Sequence, residues 1–432
     1  MHRSVAEKLG LRELIAMGVG GMIGGGIFSV LGIAVGLAGH AAPLSFVIDM
    51  LIALAAGYHY VRLALTFRDD GASYTYLLRA WPERPWIAGV EGWVVIMGYV
   101  GTLALYAFTF GAYGADLLGS PGDAAVRIWL SLGVLLFFMF VNLEGVRSAG
   151  LTEDLIVYAK IVVLGLFAVI GMTRVDPGRF VPLFDQGVGG LFLGAAVIFV
   201  AYEGFQLITN AVVETEDPDR NVPRGIYGSI LITGAIYLSL AVVAVGTMSL
   251  DQITQAKEYA LAEVARPILG NAGRVLVGLA ALMATSSAIN STLFGASRMM
   301  AEMGTKGMMP AAFSRRDRKG VPWLAVLVMT LLAGGFTLLG SLSVIAEFSS
   351  MTFLLVSIGV SLANLKLRAR TGAHLGVALL GLVLMLVTVL AIAVYLAFHD
   401  PEELTIVLVL YLVIGALAAL YYRAYGGAHG RT

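Results

Sequence analysis

The sequence predicts an all-α, polytopic membrane protein with twelve transmembrane helices. Three observations carry this. The 432 residues are 59% hydrophobic and only 13% charged, against roughly a quarter charged in soluble domains. Apolar stretches of about 20 residues or more, the length that crosses a bilayer core, recur along the chain. Short polar connections such as "FRDDGAS", "ETEDPDRNVPRG", "FSRRDRKGVP" and "HDPEE" separate them.

The spans read, in order, as 12–37, 43–66, 86–114, 124–142, 151–172, 189–213, 225–248, 270–300, 322–341, 344–366, 374–398 and 403–423. No linker or low-complexity segment divides them, so residues 1–432 read as one domain. With the N-terminus inside, the cytoplasmic loops and span ends hold 21 of the 28 Lys+Arg and the external ones 6, in the sense of the positive-inside rule. Both termini are then cytoplasmic. The N-terminal "MHRSVAEKLGLREL" carries no cleavable signal pattern. Zero net charge gives no electrostatic case for nucleic acid. The absence of cysteine removes disulfides, thiol catalysis and thiolate metal sites. The six histidines show no metal-ligand spacing.

Span one contains "GVGGMIGGGIFSVLG", seven glycines in residues 18–32. Glycine inside a helix costs about 1 kcal/mol relative to alanine, so the run needs a reason. Span six carries a second interruption, "AYEGFQ", near mid-membrane. Paired interruptions in corresponding halves point to a transporter site between inverted repeats. Unwinding frees backbone N–H and C=O groups that cannot stay unpaired in lipid. Half-helix N-termini suit a carboxylate and freed carbonyls an ammonium, and a zwitterionic amino acid offers both. The competing reading is close helix packing, through spacings such as Gly20–Gly24 and Gly21–Gly25. The run Gly24, Gly25, Gly26 with its counterpart in span six favours the broken-helix reading.

Lys160 is the one Lys or Arg placed deep in the bilayer, about nine residues into span five. It costs roughly 2.5–3.5 kcal/mol there on insertion scales. Two readings stand: a proton-coupling group or fixed charge in place of sodium, and a structural lysine that snorkels or pairs with a carboxylate. Glu203, at the span-six break, either faces the cavity to carry a proton or meet a substrate cation, or hydrogen-bonds unwound backbone as a neutral acid. Asp49 and His59 of span two read as interfacial and Glu91 as structural. The hydroxyl run of span eight (Thr285, Ser286, Ser287, Ser291, Thr292) reads as cation ligation or interhelical bonding. No acid or histidine cluster at one interface suggests an enzyme, and no repeated filter loop suggests a channel.

"GMIGGGIF", "AYEGFQLITNAVVETEDPDRNVPRGI", "SSAINSTLFGASRMMAEMGTKGMMP" and "GASYTYLLRAWPERPWIAGVEGW", with "ALAEVARPILGNAG" and the span-five lysine, resemble the amino acid–polyamine–organocation superfamily over essentially the whole chain. Within it the sequence is most similar to the ApcT-type amino acid–proton symporters. The resemblance implies a LeuT-type fold with five-plus-five inverted repeats, 12–172 and 189–366, and two further helices in 374–423. It implies that amides of Gly25, Gly26 and Ile27 hold the substrate carboxylate. Carbonyls of Met22, Ile23, Val200, Tyr202 and Glu203 hold the α-amino group, with Gly24 and Gly204 in the breaks. Lys160 would lie near Gly21, Ser286 and Ser287 as the proton-coupling site.

Three positions depart from the family pattern: Glu203 where relatives are apolar, Gln206 where several exchangers are acidic, and Gly25 where relatives carry a small hydroxyl or alanine. The expected function is proton-coupled amino acid uptake by alternating access, with the proton as coupling ion and no cofactor. The alternative is an amino acid or polyamine exchanger whose cationic substrate meets Glu203. The expected location is a prokaryotic plasma membrane.

Overall fold

The structure is a computed structural model that describes residues 8–68, 73–145 and 150–425. Both ends of the chain, and with them the predicted side of the termini, lie outside these residues. The described residues are helical without a β-sheet. The first run holds α1 (Leu11–Met22), α2 (Gly26–Ala38), α3 (Ala42–Phe67), α4 (Ser73–Ala80), α5 (Pro85–Leu117), α6 (Ala124–Leu143) and α7 (Gly150–Met172). Next come α8 (Gly187–Tyr202), α9 (Leu207–Asn210), α10 (Pro218–Thr247), α11 (Leu250–Gln255), α12 (Ala260–Thr305), α13 (Trp323–Leu339) and α14 (Leu342–Lys366). The chain ends with α15 (Arg368–Thr371), α16 (Leu375–His399) and α17 (Pro401–Tyr425).

Each predicted span coincides with one helix, or with a broken pair: α1 with α2 for span one, α8 with α9 for span six. Among the described residues, nine helical stretches are long and apolar enough to cross a membrane, with shorter apolar helices at Val157–Met172 and Trp323–Leu339. The differences are local. Span eight extends back to Ala260, and Gly270, in a left-handed conformation at φ 68°, divides α12 where the sequence reading began the span. Span seven starts at Pro218, whose fixed φ suits the first helical position. The connection at 73–80 is itself a helix, burying Tyr74, Tyr76 and Leu77. Asp123 caps α6 by accepting from the amides of Ala125 (2.9 Å) and Val126 (3.2 Å).

α2, α3, α5, α8 and α14 form the centre, while α6, α16 and α17 lie outside and present Phe137, Phe140, Leu380, Leu390 and Leu412 outward. That is the inverse of a soluble surface and is what a lipid-facing shell requires. The packing partners are ordered. α5 runs along α12, α2 along α8 and α3 along α10. α1 packs on α10 and α3 on α8; α7 packs on α12 and α14 on α5; α6 packs on α12 and α13 on α5.

Candidate functional site

The glycine run ends α1 at Met22. Ile23 leaves helical geometry (φ −80°, ψ 54°) while its N–H still reaches the Val19 carbonyl at 2.8 Å. α2 restarts at Gly26. The Gly25 carbonyl accepts from the Ser29 amide at 3.0 Å and the Ser29 hydroxyl at 2.6 Å. No side chain caps this N-terminus, so its first N–H groups keep their capacity for an anion.

α8 ends at Tyr202. Glu203 is its C-cap (ψ 128°), Gly204 takes φ 137°, and the Leu207 amide turns back to the Gly204 carbonyl at 3.1 Å. The two breaks touch backbone to backbone. A methyl group on Gly204 would lie 2.6 Å from the Gly21 carbonyl carbon and 2.7 Å from the Met22 nitrogen. One on Gly26 would lie 2.7 Å from Ala201 Cα. Glycine is required there by contact, as well as by conformation at Gly204.

Tyr237 of α10 spans the junction. Its hydroxyl donates to the Met22 carbonyl at 2.7 Å and reaches the Ala201 carbonyl at 3.2 Å, one acceptor from each break. Ser350 of α14 holds the second break from behind, accepting from the Val200 amide (3.0 Å) and donating to the Val197 carbonyl (2.7 Å). The Tyr202 hydroxyl donates to the Phe46 carbonyl at 3.1 Å. Sequence reasoning singled out neither Tyr237 nor Ser350. The available signal was a tyrosine inside an apolar span, since a buried phenol needs a partner.

A cavity of about 620 Å³ begins at the breaks. Gly20, Gly21, Glu203, Gly204, Tyr99 and Tyr106 line its inner end, and Ala288, Ser291 and Thr292 its wall. It runs to Glu302, Lys306 and Arg316, beside the basic 315–319 segment. Of the expected substrate residues, Glu203 and Gly204 line the cavity. Met22, Ile23, Gly24, Gly25, Gly26, Ile27, Val200 and Tyr202 surround the breaks but are buried beneath its floor, with Tyr106, Thr285 and Ala288 against the glycines.

Lys160 is buried, and its Nζ donates to the Gly20 carbonyl at 3.0 Å, one residue before Gly21. Among the described residues no hydrogen bond joins it to Ser286 or Ser287, although α7 packs on α12. Two of the span-eight hydroxyls serve their own helix: Thr285 donates to the Ala281 carbonyl at 2.7 Å and Ser291 to that of Ser287 at 2.9 Å. Asp49 and His59, expected at interfaces, are both fully buried. The His59 Nδ1 lies 3.1 Å from the Asn364 amide, and the Asp49 carboxyl has no hydrogen-bond partner among the described residues. Glu91 is buried as well.

Comparison with known proteins gives the same direction. A family model described as amino acid permease matches residues 9–417. An uncharacterized protein of Methanocaldococcus jannaschii is 30% identical over 394 residues, covering 90% of this chain and 89% of the relative. The inner membrane transport protein YbaT of Escherichia coli is 29% identical over 391 residues, 89% of each chain. The branched-chain amino acid permease BcaP of Bacillus subtilis is 25% identical over 380 residues, covering 83% of this chain and 81% of the relative. The chain belongs to the amino acid permease family, multi-pass membrane transporters rather than enzymes.

Proposed function

We propose that the protein moves amino acids across a prokaryotic plasma membrane together with protons, by alternating access. The single observation that carries the proton part is the Lys160–Gly20 hydrogen bond. It places a buried amine on α1, immediately before the first break. A charge-assisted bond to a carbonyl is stronger than one from a neutral amine, so losing the proton loosens α1 at the point where it meets the substrate region. The bare α2 N-terminus and the cavity floor at Gly204 support a zwitterionic ligand, and the likeness to a branched-chain amino acid permease of Bacillus subtilis supports an amino acid.

Alternating access draws support from the packing order. Partner pairs recur at an offset of five spans: α1 on α10 matches α8 on α3, and α7 on α12 matches α14 on α5. Such recurrence is expected of inverted repeats over 12–172 and 189–366. Among the described residues the large cavity runs to the end beside the 315–319 segment; with that loop cytoplasmic, this would be the inward-facing arrangement.

The test is uptake of labelled alanine into proteoliposomes without sodium, with and without an inside-alkaline pH gradient. Wild type should accumulate alanine with the gradient and Lys160→Ala should not. A Lys160→Ala protein that follows the gradient normally removes the lysine from the mechanism. Counterflow by wild type with no gradient response moves the assignment to an exchanger, a reading that the exposure of Glu203 to the cavity favours.

A further inference from the structure

Glu203 puts a carboxyl where the cavity meets the second break. It caps the C-terminal end of α8, the negative end of the helix dipole, so the helix gives its ionised form no support. The titratable groups within its electrostatic reach are phenols: Tyr60 of α3, and Tyr99 and Tyr106 of α5. α1 brings only Gly20 and Gly21 to this part of the cavity, and the α9 side brings Leu207 and Asn210. The cations further along are engaged elsewhere. Arg298 bonds the Phe294 carbonyl at 3.0 Å, Lys306 pairs with Glu302 at 2.6 Å, and Arg316 bonds the Gly320 carbonyl at 2.9 Å. Among the described residues no salt bridge reaches the Glu203 carboxyl, and Lys160, the buried amine beside the first break, bonds the Gly20 carbonyl at 3.0 Å.

Glu203 is largely buried even with the cavity open, at 8% exposure, so only water at the cavity's inner end reaches its carboxyl. When the cavity closes on a ligand that water leaves, and an unpaired carboxylate in a dry site is strongly disfavoured. Closure therefore requires one positive charge beside Glu203. A proton supplies it; so does a cationic substrate side chain, for which the Tyr99 and Tyr106 rings are further partners.

We infer that Glu203 is a counter-ion switch that sets both substrate class and proton count. A neutral amino acid is carried with Glu203 protonated: carboxylate, proton and zwitterion give carboxylic acid plus bound zwitterion. An amino acid with a cationic side chain is carried against the ionised carboxylate, and its ammonium or guanidinium replaces that proton. Both loads bring one positive charge to the site, and they differ by one proton. The inference rests on the reading that this cavity holds an amino acid, and it does not depend on Lys160.

The test is equilibrium binding of L-alanine and L-lysine to the purified protein between pH 5 and 8. Glu203→Gln keeps Lys160, so any slope that Lys160 contributes to the ratio of the Kd values survives in that variant and is told apart from the slope of Glu203. In wild type the ratio Kd(alanine)/Kd(lysine) should rise with pH, by up to tenfold per unit. In Glu203→Gln it should be flat, with lysine binding weakened at least tenfold relative to alanine binding. Glu203→Asp, which keeps the carboxyl, should keep the slope and serves if the glutamine variant does not fold. A flat wild-type ratio, or lysine binding at no pH while alanine binds, overturns the inference. Failure to bind either ligand overturns the amino acid reading and the switch with it. Alanine uptake indifferent to Lys160→Ala, with a sloping ratio, removes only the lysine's role.

Discussion

Gly204→Ala separates the two breaks, and its effect can be worked from the backbone. The residue sits at φ 137°, a conformation that side-chain-bearing residues rarely adopt, and such strain costs about 1–3 kcal/mol. The added carbon would meet the Gly21 carbonyl carbon at 2.6 Å and the Met22 nitrogen at 2.7 Å. Ordinary contact is about 3.5–4.0 Å, so α1 and the second break must part by about 1 Å. Neither neighbour is a side chain that can rotate away. A shift of that size at Gly21 also strains the adjacent Gly20 carbonyl against Lys160, now at 3.0 Å; a hydrogen bond from a charged group is worth about 1.5–3 kcal/mol.

The combined loss is about 3–5 kcal/mol, which in the affinity of the assembled site is a factor of about 10² or more. The assay is alanine uptake per unit of protein in the membrane, with thermal unfolding of the purified protein beside it. Gly295→Ala is the control. Gly295 lines the same cavity, but a methyl there meets nothing within 4 Å, so uptake should stay within about twofold, helped by the alanine's helix propensity. Wild-type uptake and stability in Gly204→Ala would refute the claim that the breaks are held by this contact.

Two further outcomes follow from single bonds. Tyr237→Phe removes the donor shared by the Met22 and Ala201 carbonyls. At about 1–3 kcal/mol for unsatisfied buried acceptors, alanine Kd should weaken roughly 5–150-fold; an unchanged Kd would free the tyrosine from the site. Arg274 bonds Asp116, whose side chain is 1% exposed, and Glu263 at 3.0 Å. Arg274→Met should lower stability by about 3–5 kcal/mol through the stranded charge. Arg274→Met with Asp116→Leu should recover most of it in thermal unfolding, and a double variant as damaged as the single one contradicts this.

What was legible in the sequence were the features that cost something in a membrane. Gly24–Gly26, the "AYEGFQ" interruption and Lys160 each carry a penalty, so each demanded a reason, and the structure brings all three to one region. What was not legible depends on which helix faces which. Tyr237 and Ser350 are unremarkable in an apolar span until α10 and α14 are docked against the breaks. The Lys160 bond to the Gly20 carbonyl depends on the azimuths of α7 and α1, and spacing along one helix does not encode them. Asp49 and His59 read as interfacial from their distance to a span end, but α3 is central and surrounded, so depth along the helix does not predict exposure. The burial of the first-break glycines follows from the packing of Tyr106, Thr285 and Ala288 over them, which no local stretch of sequence encodes.

The two ends of the molecule are held differently, and this bears on how it would alternate. Away from the cavity, α2 packs on the 257–259 turn so closely that a methyl on Gly32 would lie 2.8 Å from Lys257 Cα. The Tyr113 hydroxyl donates to the Phe28 carbonyl at 3.1 Å, Lys257 donates to the Ser343 hydroxyl at 2.6 Å, and the Arg127 guanidinium sits 3.9 Å over the Phe108 ring. At the cavity mouth the Glu302–Lys306 pair is half exposed and contributes little, and the link across helices there is the Lys306 bond to the Tyr74 hydroxyl of α4 at 3.1 Å. Each link at the sealed end is worth about 0.5–1.5 kcal/mol net, so opening that end costs a few kcal/mol. Moving a two-state equilibrium from one side to the other takes about 5.5 kcal/mol of differential binding. On the mechanism proposed above, one neutralised carboxylate at Glu203 and one anchored ammonium at Lys160 would operate on that scale. Under the proposed mechanism no large rearrangement energy would then be needed for ligand and protons to drive the exchange; these two charges would need to be satisfied in one conformation and not in the other.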